Sequence, residues 1–201
     1  MKNQRYLLFL AIVAILLIGK PLFGQYEEKA YHPNIRMGFW FGPVAPFPGT
    51  EMANRLGTYL GGGVFGRMNI PAIPFEAELG ISYNSYRSDT TAELTTIPLY
   101  LAILYRIPIR SELDINLKVG GGASYAKNFP EKHQNILPLL YTGFDLSFAA
   151  GRKTRIGLKV DYNLLYEKHL DIPANAPSDY TLYNGHMLNI GLMLSFRFNN
   201  D

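Results

Sequence analysis

Apolar residues recur at every second position along most of the chain. Near its end, Leu188, Ile190, Leu192, Leu194, Phe196 and Phe198 alternate with Asn189, Gly191, Met193, Ser195 and Arg197. A period of two puts successive side chains on opposite faces, so this stretch is predicted as a β-strand with one apolar face. Seven earlier segments read as strands too. Ile35–Val44 sets Met37, Phe39 and Phe41 on one face, while Leu56–Met68 is rich in glycine and its parity is open. Phe75, Ala77, Leu79, Ile81 and Tyr83 alternate with Glu76, Glu78, Gly80, Ser82 and Asn84. Leu94–Ile107 groups Ile97, Leu99, Leu101, Ile103 and Tyr105, with a second face that is partly apolar. Leu113–Tyr125 alternates Leu117 and Val119 with Asn116 and Lys118. Leu139–Phe148 aligns Leu140, Thr142, Phe144, Leu146 and Phe148, and Ile156–Tyr166 aligns Ile156, Leu158, Val160, Tyr162, Leu164 and Tyr166. About eight strands is a count within the usual range for closed barrels.

The expected connections alternate in length. Asn69–Ala72, Pro108–Ser111 and Ala149–Thr154 are short, whereas Phe47–Arg55, Arg87–Glu93, Lys127–Asn135 and Lys168–Tyr183 are longer and more polar. Short turns at one end and longer loops at the other suit an up-and-down barrel in an outer membrane. The last of these loops carries Pro173 and Pro177, which stiffen it, and Tyr180 and Tyr183, rings of the kind binding surfaces use.

Alternation does not say which face points outward, because soluble and membrane barrels have opposite polarity. Three features favour a membrane. The apolar faces of the third, fifth and seventh strands carry no charge. Aromatics on the apolar faces gather at strand ends: Phe75, Tyr105, Phe148, Phe196 and Phe198 at the short-turn end, Tyr83, Tyr125, Tyr162 and Tyr166 at the other. Such girdles suit the headgroup boundary. Gly80, Gly120, Gly122, Gly143, Gly157 and Gly191 fall on the polar face, where a narrow lumen needs small side chains.

The N-terminus adds a compartment. Lys2 and Arg5 precede an uncharged run from Leu7 to Ile18, followed by Lys20 and an exit near Gly24-Gln25. That is the layout of an export signal over 1–25, too short to cross a bilayer comfortably as a helix. A polar lead-in at 26–34 and a barrel over 35–201 follow. Lys2, Arg5 and Lys20 also account for the net charge of +3, since the leader has no acid. The remainder balances, which removes any electrostatic argument for a nucleic-acid partner. There is no cysteine, hence no disulfide and no lipid-modified cysteine.

The whole pattern resembles the small eight-stranded outer-membrane barrels of the OmpA/OmpX-like superfamily. Its sharpest local piece is the terminal strand, where Asn189, Gly191, Leu194, Phe196 and Phe198 look like the signal read by the barrel-assembly machinery. The resemblance implies an all-β, eight-stranded antiparallel up-and-down transmembrane barrel in the outer membrane of a diderm bacterium. It also implies contact with outer-membrane lipids and with that machinery, and a non-enzymatic structural or surface-interaction role through the loops.

Candidate chemistry is sparse. Glu76, Glu78, Arg106, Glu112, Asp114, Lys118, Arg155, Lys159, Asp161 and Arg197 would point into the lumen. They are expected to form a salt-bridge network plugging it, because charges shielded from water need partners. Arg106 and Glu112 flank the Pro108 turn and are expected to face each other. His32, His133, His169 and His186 form no close ligand pair, so no metal or cofactor is expected. Lipid-modifying barrels use a His-x-Ser pair, but His186 is followed by Met187 and Leu188, and a catalytic nucleophile with its base is not visible. Gly61–Gly63 and Gly120–Gly122 precede no Lys-Ser/Thr and read as tight strand positions, not phosphate loops. The alternative function is a secreted lipocalin-like carrier of a small apolar ligand, suggested by Gly38-Phe39-Trp40 and faintly by Ser178-Asp179-Tyr180, though the chain ends in a strand rather than a helix.

Overall fold

The computed structural model describes residues 34–70, 73, 75–88, 93–107, 113–129, 134–166 and 184–198. The expected export signal, most of the lead-in, Glu112, His32, His133, His169 and the Lys168–Tyr183 loop lie outside the described residues.

Alternation becomes eight strands: β1 (Ile35–Pro46), β2 (Tyr59–Asn69), β3 (Phe75–Arg87), β4 (Glu93–Ile107), β5 (Leu113–Phe129), β6 (Gln134–Ala149), β7 (Thr154–Leu165) and β8 (Gly185–Arg197). Each pairs antiparallel with its neighbour in sequence, and β8 returns to pair with β1, closing the barrel. Closure satisfies both edges of the sheet, which a strand wall in hydrocarbon requires. Among the described residues no helix is long and apolar enough to cross a membrane.

Outward positions are apolar around the wall. Met37, Phe41, Val64, Leu79, Leu101, Leu117, Val119, Leu158 and Leu192 are all exposed. The open parity of β2 resolves with Val64, Gly66 and Met68 outward and Phe65 and Arg67 inward. Phe75 and Tyr105 stand opposite each other at the short-turn end, ring centroids 5.6 Å apart. Phe39, Phe41 and Phe144 show that outward aromatics also occur between the girdles.

Two expectations about the long-loop end need correction. Arg87–Glu93 and Lys127–Asn135 are not free loops. The β3–β4 ladder runs on to Arg87↔Glu93, and β5 extends through 17 residues and β6 through 16. Polar residues there continue the ladder, so only 88–92 and 130–133 connect these strands. The longer connections are 47–58 and 166–184. The first contains a helix that alternation did not reveal, α1 (Glu51–Arg55). Thr50 caps it, its hydroxyl oxygen accepting from the Ala53 N–H at 3.3 Å, and Gly49 takes the left-handed φ of +85° that the preceding turn needs.

Candidate functional site

The lumen is the one interior the fold creates, and it has two layers. Toward the long-loop end it is apolar: Trp40, Val44, Tyr86, Leu94, Leu137, Leu139, Leu165 and Met187 are buried against one another. Met52 of α1 joins them at 1% exposure, capping the lumen from the outer connection. A uniformly polar lumen is therefore wrong for this half. Asn84, Thr96, Ser124, Asn163 and Asn189 are among the polar residues interleaved there.

Toward the short-turn end the lumen holds a closed ring of charges. Arg67 pairs with Glu78 at 2.6 Å and with Asp145. Asp145 takes Lys118 at 2.8 Å, and Lys118 reaches Asp161 at 2.6 Å. Asp161 takes Lys159 at 2.9 Å, and Lys159 returns to Glu78 at 3.5 Å. Three cations alternate with three carboxylates, so the ring is neutral and every member has an opposite charge on both sides. Such closure is what a fully buried charge set requires, since a lone ion there would carry a desolvation cost of several kcal/mol.

Two tyrosines complete the plug. The Tyr100 hydroxyl donates to Glu78 at 2.9 Å, and the Lys159 ammonium donates to Tyr141 at 2.9 Å and Tyr100 at 3.1 Å. Glycines make room for rings lying across the lumen. A Cβ at Gly80 would stand 2.4 Å from the Tyr100 ring, and one at Gly191 would stand 2.6 Å from Trp40. That is a more specific reason for lumen glycine than taper.

At the short-turn mouth, Arg36 pairs with Glu76 at 2.8 Å, and Asp114 takes Arg155 at 2.6 Å together with Arg106. Arg106 stands opposite Asn116 and pairs with Asp114; the expected contact with Glu112 falls outside the described residues. Arg106 and Arg197 sit exposed at the mouth instead of inside it. The other anticipated lumen charges are distributed between ring and mouth: Glu78, Lys118, Lys159 and Asp161 in the former, Glu76, Asp114 and Arg155 in the latter. Sequence reasoning missed Arg36, Arg67 and Asp145. Parity could have found two of them, since Arg36 alternates with Ile35 and Met37, and Asp145 with Phe144 and Leu146, whereas the open parity of β2 hid Arg67.

In β8, Asn189 and Gly191 face the lumen, while Leu194 and Phe196 face outward. Phe198 follows the strand, donating its N–H to the Ile35 carbonyl at 3.0 Å. His186 lies on the outer wall near the long-loop end, hydrogen-bonded through Nδ1 to the Tyr162 hydroxyl, with Phe47 edge-on to the same tyrosine ring. Trp40 of the Gly-x-Trp segment points into the filled lumen.

An apolar outer wall around a charged interior is the inverse of a soluble carrier. A closed barrel of this polarity is a transmembrane β-barrel. The outer membrane protein beta-barrel domain family matches residues 34–196, and the chain belongs to that family. Its place is the bacterial outer membrane. No curated protein sequence matches the chain. Among solved structures it is similar to Neisserial surface protein A, with 11% identity and a TM-score of 0.53 over 85% of this chain and 100% of that one. It is similar to a major outer membrane protein from Thermus thermophilus, with 11% identity and a TM-score of 0.61 over 84% of this chain and 100% of the other. OprG from Pseudomonas aeruginosa matches with 11% identity and a TM-score of 0.51 over 84% and 97%. At such identity these likenesses speak for the fold alone.

Proposed function

We propose that this chain is a non-enzymatic outer-membrane barrel that meets its partners through its long-loop end, with the short turns toward the periplasm. The observation that carries this reading is the filled lumen. The charge ring and the Tyr100–Tyr141 pair occupy one half, and an apolar core capped by Met52 occupies the other. The wall between the ends is apolar and suited to lipid. Recognition is then left to the ends, where connecting segments can vary without disturbing the barrel. The connections 47–58 and 166–184 are the longest between successive strands. Lipid contact along the wall and capture of Asn189, Gly191, Leu194, Phe196 and Phe198 by the barrel-assembly machinery belong to the same reading.

The test replaces 171–181 with a short Gly/Ser linker and, separately, 48–57 likewise. Both variants should keep the shifted unboiled migration that marks a folded barrel, and lose binding of intact cells to host or matrix surfaces that the parent binds. Unchanged binding across both replacements would contradict a recognition role for this end.

A further inference from the structure

The lumen mouth at the short-turn end carries more positive charge than its own carboxylates balance. Arg36 of β1, Arg106 of β4, Arg155 of β7 and Arg197 of β8 share the lumen face there, by strand parity with the buried Trp40, Leu104, Lys159 and Met193. Glu76 and Asp114 are the carboxylates they meet. Four cations against two anions leave an excess of two positive charges among the described residues. By sequence, the 108–112 connection adds one charge of each sign, Arg110 and Glu112, and 150–153 adds Arg152 and Lys153. Neither turn supplies the missing negative charge.

The excess sits where the sheet makes it costly. Arg36 stands directly opposite Arg67 on one side and Arg197 on the other. Like charges opposite each other on adjacent strands repel. Arg67 is neutralised within the ring, but Arg197 forms no ion pair among the described residues. Arg36 holds Glu76 through a single contact of 2.8 Å, not a two-point fork, and its Nε and the Glu76 Oε2 have no hydrogen-bond partner among the described residues. Arg106 and Arg197 are each close enough to repel both Arg36 and Arg155. Four guanidiniums thus border one opening, and Arg106 and Arg197 are its exposed members.

We propose that this mouth binds one divalent oxyanion of the phosphate type, free or as a small ester, seated on Arg106 and Arg197 with the less exposed Arg36 and Arg155 adding their charge. Two negative charges cancel the excess of two. Guanidiniums present paired donors that match phosphate oxygens. The ligand comes from water and not from the bilayer, because the arginines face inward while their outward neighbours, Met37 and Phe196, are apolar. The neutral ring closes the floor. Glu78 is one inward step from Glu76 and Lys159 two from Arg155, so the ion binds and does not pass. The site depends neither on the loops nor on which side of the membrane the short turns face.

The test is isothermal titration calorimetry of the barrel folded in a nonionic detergent at low ionic strength, with chloride as the background anion. Inorganic phosphate and glycerol 3-phosphate are titrated separately, and the tighter of the two identifies free ion or ester. Binding should saturate at one ion per chain. Arg197→Gln and Arg106→Gln should each weaken it about tenfold, the effect of losing one hydrogen bond to a charged group. Asp114→Asn removes a competing carboxylate and should tighten it, whereas a purely structural cluster would lose any binding along with its order. Arg87→Gln, at the long-loop end, should change nothing. Binding no tighter than that of chloride, unaltered binding in both arginine variants, or weaker binding in Asp114→Asn overturns the site. So does binding that appears only after 199–201 are removed, which would give the mouth to the carboxylate of Asp201. Should one arginine variant lose the shifted unboiled migration of the folded barrel, the other is read in its place.

Discussion

Tyr100 and Tyr141 stack across the lumen with ring centroids 3.9 Å apart and planes 13° from parallel. One ring comes from β4 and the other from β6, so the pair spans the interior over the β5 wall between them. Gly80 lies beneath Tyr100 and leaves no room for a side chain. Gly80→Val is therefore expected to destabilise the barrel by about 1–3 kcal/mol, the usual range for overpacking. Tyr100→Leu in the same chain should restore part of the loss. Urea titration in lipid vesicles measures both, and additive losses would mean that the two positions do not share that space.

The ring and the mouth should respond differently to neutralisation. Arg67 and Asp145 are both buried within a closed set of pairs, so Asp145→Asn leaves Arg67 and Lys118 short of a counter-charge. A cost of about 3–5 kcal/mol is expected. Arg106, whose side chain is 48% exposed, should couple to Asp114 by only about 0–1 kcal/mol in a double-mutant cycle. Similar costs at both places would show that water reaches the ring.

The wall assignment is tested by charge. Leu117→Arg and Leu158→Arg place a cation on the outward face. Each should cost about 2–4 kcal/mol near the bilayer midplane and impede assembly. Asn163→Ala, in the lumen with an unpaired amide oxygen, should be mild. Equal effects in vesicle unfolding would reverse inside and outside.

Much of this could be read from the chain because one face of β3, β5 and β7 is apolar and the other is not. Where both faces are apolar the signal fails. On β6, Ile136 and Leu140 face out while Leu137 and Leu139 face in, so alternation could not show an apolar lumen layer. The same ambiguity on β4 hides Leu94 and Leu104. Parity places Asp145 inside, but its pairing with Arg67, 78 positions away, depends on the stagger of the closed sheet. The glycines of β2 erased its own pattern, and α1 is too short to show a period. Conversely, polar strand ends such as Lys127–Asn128 and Gln134–Asn135 look like loop in the sequence because polarity reads as a break in the ladder.

The cap offers a local test. Met52→Asp would bury a carboxylate among Trp40, Val44 and Met187. The helix should leave the lumen, exposing 48–57 to protease, while the barrel stays folded. Unchanged protection would mean that Met52 does not hold the connection in place.

Planar-bilayer recording tests the filled lumen most directly. With the charge ring closed by six ion pairs and the tyrosine pair stacked beside it, the purified barrel should give no stable conductance steps at any salt concentration. Steady, long-lived steps that scale with salt would contradict it.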